Sequence, residues 1–338
     1  EQAYKRMGFD TRIGAASIAE AFYPGIIVTS GDAEDTIETV QEISERVGAV
    51  VAPSVEACRH TADRMAVRKQ ANEELGLPVL DYEFAATPQE MHDAVERIGY
   101  PCVVKAPTSK DGEGFSFVHS DADLADAWRA ADRGLGQGAV VERFIDFDFE
   151  VTILAARSID PSTGELATWF CEPIGTRHRE GRLVESWQPA PLPEAAMDNA
   201  RSIAARITGA LASCGIFSVE MFVSGDDVYF SQVTPRPSRD GLVTFVTQRI
   251  NQFDLQAHAT QRLPIDSTLI SPGAVRFLEG HPSQAALAAA MAVEEVTVRM
   301  LGDGTLVLAT ADSAAEARQR TDEAVREIYR VDGKPGEN

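Results

Sequence analysis

Apolar positions in the first part of the chain switch between two periods. Ile26 to Thr29 is a short β-branched run and predicts a strand. From Asp35 to Val47, Ile37, Val40, Ile43 and Val47 fall at helical spacing, with Gly48 placed as a C-cap. "AVVAP" predicts a second strand, and Ser54 to Leu75 a long helix closed by Gly76 and Pro78. This β-α-β-α order implies a parallel, Rossmann-like sheet, too short to be a complete one. The opening "EQAYKRMGFD" reads as the tail of a helix.

Further on, helices and strands mix without regular alternation, which points to α+β. Thr87-Pro88-Gln89-Glu90 is a capping box whose helix ends near Gly99. "YPCVVKAP" and "FSFVHS" predict strands around the glycine-bearing loop "TSKDGEG", and Asp121 to Arg133 a helix. "GLGQG" reads as a linker, and "AVVERFIDFDFEVTILAARSID" as two strands with a bend between them. Helices are expected at Pro193 to Ala212 and Thr244 to Arg262, with a hairpin, "FSVEMFVSGDDVYFSQVTPRP", between them. Strands follow at "VRFLEG", "VTVRML" and "TLVLATA", then a helix from Ser313 and a disordered tail, "DGKPGEN". The expected division is 1–62, a partial Rossmann-like domain; 63–140, a small lobe; 141–265, a large lobe; and 266–338, a β-rich C-terminal lobe and tail.

Composition narrows the function. With 338 residues and 44 % hydrophobic content the chain can bury a large core. A net charge of −21 supplies no basic stripe, which argues against general nucleic-acid binding. An anionic ligand must then be held by local Arg, Lys, backbone N–H groups or metal. Cys58, Cys102, Cys171 and Cys214 form no C-x-x-C pair and read as reduced thiols of a cytoplasmic protein. No apolar run approaches the about 18 residues of a membrane span, and no signal peptide is expected.

Several motifs carry chemistry. Gly112 and Gly114 in "PTSKDGEGFSF" let backbone N–H groups approach an anion, although the loop is no Walker A and alone is an ordinary hairpin. Lys105 ends the strand just before it, so the two form a candidate polyphosphate grip. In "VVERFIDFDFE", the backbone after Glu142 could meet a base edge, Phe144 and Ile145 could sandwich the ring, and Glu150 could accept from ribose hydroxyls. In the hairpin, a three-residue loop Gly225-Asp226-Asp227 sets Ser224 opposite Val228 and Glu220 opposite Gln232. A two-residue turn would instead pair Glu220 with Ser231. Oxygen ligands on adjacent strands suit Mg²⁺. Arg236, held between Pro235 and Pro237, is stiffly placed for phosphate or carboxylate, and Arg239 adds a second cation.

These elements, in this order, resemble the ATP-grasp superfamily, and within it the formate-dependent phosphoribosylglycinamide formyltransferases. The resemblance runs from about Ile26 to Ala311 and is carried by "GYPCVVKAP", "DFDFEVTIL", "ESWQPAPL" and the hairpin. It implies an ATP-grasp fold and an ATP- and Mg²⁺-dependent ligase. Such an enzyme makes an acyl phosphate from a small carboxylate such as formate and passes it to an amine. It also implies a homodimer. Arg64 and Lys105 would contact ATP phosphates, and Lys110, Asp111, Gly112, Glu113, Gly114 and Phe115 would form the loop over them. Glu142, Arg143, Phe144 and Ile145 would be the adenine hinge, Glu150 the ribose ligand, and Glu220 and Gln232 the metal pair. Lys105 and Arg236 would be catalytic, with Ser30, Arg236 and Arg239 on the substrate side.

The chain departs from the family in four respects. Gln232 stands where the family has Glu, and Glu113 where it has a Lys between two glycines. Ser30 and Arg239 replace a substrate-contacting Glu and Asp. The family's first strand with its Gly-rich turn, and a basic loop expected between Gly302 and Leu306, have no counterpart in the numbered sequence, through absence or omission. The alternatives are therefore a paralogous carboxylate–amine ligase with another substrate, and a non-catalytic nucleotide-binding relative.

Overall fold

A computed structural model describes residues 1–29, 36–107, 114–179, 181–302 and 304–333. The roles expected of Ser30, Lys110, Asp111, Gly112 and Glu113, and the disorder expected of the tail at 334–338, lie outside the described residues. Among those described, no helix is long and apolar enough to cross a membrane.

Three sheets organise the chain. β1 (Ile26–Val28) and β2 (Val50–Ala52) pair in parallel, as the alternation predicts. β3 (Tyr82–Ala85), β4 (Cys102–Lys105), β5 (Ser116–Val118) and β6 (Ala139–Arg143) form an antiparallel sheet in the order β3-β6-β4-β5. The third sheet has nine strands: β7 (Phe149–Ile159), β8 (Leu166–Phe170), β9 (Ile174–Arg179), β10 (Arg182–Gln188), β11 (Gly215–Ser224), β12 (Asp227–Thr234), β13 (Gly273–Glu279), β14 (Val296–Leu301) and β15 (Gly304–Thr310). Its order is β12-β11-β7-β9-β10-β13-β15-β14, with β8 on β7. The boundary expected at residues 140 and 141 falls inside β6, which hydrogen-bonds to β3 and β4. The C-terminal strands extend the large sheet and do not form one of their own.

Period-two alternation decides what each sheet face does. In the four-stranded sheet, Cys102, Val104, Val118 and Val141 face the helices Pro88–Ile98 and Leu124–Asp132 and bury Met91 and Leu124. Val103, Lys105 and Glu142 therefore point the other way. In the large sheet, Val151, Ile153, Val219 and Met221 pack against helix Glu194–Leu211 and against Val67, Ala71 and Leu77. The opposite face buries Leu154, Ile174 and Ile216. Two residues along the same strands it carries Thr152, Thr176 and Ser218, and two further along Glu150, His178 and Glu220.

The long helix expected over Ser54 to Leu75 is broken. Helix Val55–Ala62 ends at Asp63, a second helix runs Arg64–Lys69, and a π-turn follows at Gln70–Glu74. Asp63 is extended and its carboxylate accepts from the N–H groups of Met65 and Ala66, at 2.9 and 3.1 Å. An aspartate that can cap a helix competes with continuing one. The expected Thr244 to Arg262 helix breaks in the same way, resuming at Gln252–Thr260 under an Asn251 cap.

The "ESWQ" run of β10 ties the C-terminal helix Ala314–Asp332 to the large sheet. Glu185, 1 % exposed, accepts from Arg318 at 2.9 and 3.0 Å and ion-pairs with Arg177 at 3.0 Å. Arg318 also lies 3.9 Å over the Trp187 ring. Position 175 must be glycine for this packing, since a Cβ there would stand 2.3 Å from Trp187.

Candidate active site

A cleft of about 360 Å³ opens between the two larger sheets. That size suits a nucleotide-scale ligand. The break at Asp63 positions its first wall. Arg64 and Arg68 begin the new helix four residues apart, so they share a face. Arg68 ion-pairs with Glu142 on β6, and Lys105 on β4 donates to the same carboxylate at 2.7 Å. Burial alone would raise the Glu142 pKa. Arg68 and Lys105 overcome it and hold the group at about 2. Burial, with Arg68 and Arg64 nearby, pushes the Lys105 pKa down against the pull of Glu142. Arg64 lies close enough to feel both Glu142 and Glu220. Three cations thus surround one carboxylate, an excess of positive charge suited to phosphates.

The floor is apolar and aromatic. Phe115, Phe117, Phe144, Ile145 and Phe222 line it. Phe117 meets Phe115 edge-on at 5.1 Å and Phe144 at 5.4 Å. Gly114 turns the chain into Phe115 with φ +74°, and a Cβ there would press to 2.8 Å on Ala106. Arg143 ion-pairs with Asp81 at 2.8 Å, leaving the backbone from Glu142 to Ile145 along the cleft.

The large sheet supplies the opposite, acidic wall. Gln232, Glu220 and Thr152 are consecutive register partners on β12, β11 and β7, and Glu150 on β7 pairs with Thr176 on β9. Glu150 accepts from His178 Nδ1 at 2.7 Å. Burial lowers the His178 pKa, but Glu150, Asp240 and Glu220 together leave it raised. Burial, then the carboxylates of Asp240 and Glu150, pushes the Glu220 pKa well above the usual carboxylate range. Asp240 shifts the same way, through burial.

The hairpin keeps the expected facing pair by a different route. The turn has two residues, with Ser224 opposite Asp227, and not the expected three. A β-bulge then shifts the register between Glu220 and Met221, so that Met221 faces Phe230 while Glu220 still faces Gln232. Ser231 is the extra residue, and it restores the facing that a regular two-residue hairpin would have lost. Gln232 turns Nε2 toward Glu220 Oε1 at 3.3 Å, acting as a donor.

The structure therefore brings Lys105, Phe115, Glu142, Arg143, Phe144, Ile145 and Glu150 to one cleft, with Arg64 beside it, while Glu220 and Gln232 lie next to its lining on the sheet face that carries Glu150. Arg236 follows the hairpin exit, its carbonyl accepting from the Ser218 hydroxyl at 3.2 Å, and its charge acts on Cys58, whose thiol meets the Thr29 hydroxyl at 3.3 Å. Thr29 immediately precedes Ser30. Arg239 is exposed and lies 5.5 Å over the Phe277 ring. Sequence reasoning missed Arg68, Phe117, His178, Thr152 and Asp240. Arg68 could have been found from its i+4 spacing to Arg64. His178 was hidden because "IGTRHR" was not read as a strand, and Asp240 because only tertiary folding turns it inward.

Comparisons with known proteins bear on this geometry. The ATP-grasp domain pattern matches residues 70–253, just over half of the chain. The formate-dependent phosphoribosylglycinamide formyltransferase of Corynebacterium efficiens is 47 % identical over 313 residues, covering 88 % of this chain and 78 % of the relative. That of Corynebacterium jeikeium is 48 % identical over 304 residues, covering 85 % and 74 %. The chain belongs to the ATP-grasp family of formate-dependent phosphoribosylglycinamide formyltransferases. Among solved structures, the "glycinamide-RNase-transformylase T" of Mycobacterium tuberculosis superposes with a TM-score of 0.78 at 33 % identity, over 93 % of this chain and 84 % of that one. Carboxyaminoimidazole ribonucleotide synthase of Aspergillus clavatus, solved with ATP, gives 0.81 at 18 % identity over 97 % and 90 %, a likeness of fold alone. In this ATP-grasp family member the cation-rich residues on one sheet and the acidic residues on the other meet at the cleft.

Proposed function

We propose that this chain transfers the γ-phosphoryl group of ATP to formate and passes the formyl group to the amine of glycinamide ribonucleotide. One observation supports this reading above the rest. A cation-rich cluster of Arg64, Arg68 and Lys105 lies close to the carboxylates of Glu150 and Glu220, with an aromatic slot beside them. A polyphosphate complexed with a divalent cation satisfies both walls at once, because each charge it brings is opposed.

In this reading Phe115, Phe117, Phe144 and Ile145 enclose the adenine, and the backbone from Glu142 to Ile145 meets its edge. Glu150 accepts from the ribose, with His178 orienting its carboxylate. Lys105 and Arg64 hold the phosphates, joined by the loop containing Lys110, Asp111, Gly112, Glu113 and Gly114. Arg236, Arg239 and Ser30 lie on the substrate side. The donor set on the large sheet, all oxygens on adjacent strands, fits Mg²⁺. When bound, Mg²⁺ would neutralise the charge developing on the β- and γ-phosphate oxygens.

A formate oxygen attacks the γ-phosphorus and ADP leaves. The acceptor amine then attacks the formyl carbon, phosphate leaves, and a proton is lost from the nitrogen. Lys105 and Arg64 keep the phosphoryl group in line and favour its charge in the transition state. We place the cytoplasm as the compartment and a homodimer as the assembly, following the resemblance.

The test is ADP release from Mg²⁺-ATP, measured with formate and with or without glycinamide ribonucleotide. Release should require formate and increase when the acceptor is added. Tight ATP binding without turnover would instead support a non-catalytic nucleotide binder.

A further inference from the structure

One carboxylate on the acidic wall has no task in the reading above. Asp240 is 8 % exposed and opens the short 3-10 turn Asp240–Val243. Two strands clamp it. Ser186 on β10 donates its hydroxyl to the Asp240 carbonyl at 3.0 Å, and Thr152 on β7 donates to Asp240 Oδ2 at 2.8 Å. Thr152 is the register partner of Glu220, and Glu220 of Gln232. Directly opposed residues share a face, so the hydroxyl that fixes Asp240 stands beside Glu220 on the side away from Gln232. The neighbouring Arg239 turns away, over Phe277 at 5.5 Å, so the carboxylate and not the guanidinium faces the wall.

On the other flank of Glu220, Gln232 brings no charge, and its amide nitrogen is directed at Glu220 from 3.3 Å. Glu220 and Asp240 thus receive hydrogen bonds from neutral groups, an amide and a hydroxyl. Asp240, buried, and Glu220, half-buried, are held this way, and a cation placed between them would stabilise both. Mg²⁺ is commonly held by one or two carboxylates together with substrate phosphates.

We propose that Asp240 is a ligand of the divalent cation, supplying beside Glu220 the second negative charge that Gln232 lacks, with Thr152 as the residue that positions it. The proposal rests on the active-site reading above and assigns one of its ligands.

The test is Mn²⁺ titration, followed by electron paramagnetic resonance, into the full chain saturated with a non-hydrolysable ATP analogue. Asp240→Asn should weaken Mn²⁺ binding at least tenfold. Adding Gln232→Glu to that variant should recover most of the loss, because the second charge returns on the other flank of Glu220. Gln232→Glu alone, which leaves Asp240 untouched, should strengthen binding less than tenfold. A gain of a hundredfold or more would mean that the second charge was missing, and would overturn the proposal. Unchanged Mn²⁺ affinity in Asp240→Asn would overturn it too, including where the KM for the acceptor rises and assigns Asp240 to the acceptor amine. Glu220→Gln separates the two levels. If it weakens Mn²⁺ binding while Asp240→Asn does not, the metal wall stands and only the part given to Asp240 falls. If neither variant matters, the metal wall falls as well.

Discussion

Lys105→Met should lower formate-dependent ADP release by on the order of 10²–10³-fold, the usual effect of removing one preorganised group that meets transition-state charge. Lys105 stands at the end of β4, largely buried, with its ammonium 2.7 Å from Glu142. A lysine with little solvent around it is ready to exchange part of that contact for a phosphate. Methionine keeps the stem and the packing while removing the charge. Glu142 retains Arg68, so the variant should still fold, with a melt lowered less than in Arg68→Met. Steady-state kinetics with ATP varied, alongside a thermal melt, would check both halves. A loss below tenfold would place the phosphates elsewhere in the cleft.

Arg68→Met should act on stability, by about 3–5 kcal/mol, because it leaves a buried carboxylate short of its main partner. Both side chains are about 5 % exposed or less, so solvent screens the pair little. The sign of its pH dependence follows from Glu142, whose folded pKa of about 2 lies below the ordinary carboxylate value. A depressed acid contributes stability above its unfolded pKa and loses it as pH falls through the folded one. The difference between variant and unaltered chain should therefore be full above about pH 5 and shrink toward pH 2. Urea unfolding across that range would show it. A difference that stays constant with pH would mean that Arg68 acts through packing and not through Glu142.

Much of this architecture was legible in the sequence because period and capping are local. The strands around Lys105 and the helix starting at Pro88 follow from side-chain spacing. What could not be read depends on competition between local options. Asp63 fits a helical pattern, and only its carboxylate's choice of the Met65 and Ala66 N–H groups ends the helix and aims Arg64 and Arg68 at the cleft. At the hairpin, two opposite departures cancel. The turn is one residue shorter than expected and Ser231 bulges, so Glu220 and Gln232 still meet. A bulge has no sequence signature beyond the register it repairs. Asp240 lay beside Arg239 in the same motif, and their order along the chain says nothing about which turns inward. That is set by Thr152 and Ser186, both more than 50 positions away.

The central claim, that ATP activates formate as a mixed anhydride in this cleft, is tested most directly with heavy-oxygen formate. The released inorganic phosphate should carry one formate-derived oxygen per turnover, because that oxygen bridges carbon and phosphorus before the amine displaces phosphate. Phosphate that carries no label from formate, or that takes its new oxygen from labelled water during product formation, would contradict the account.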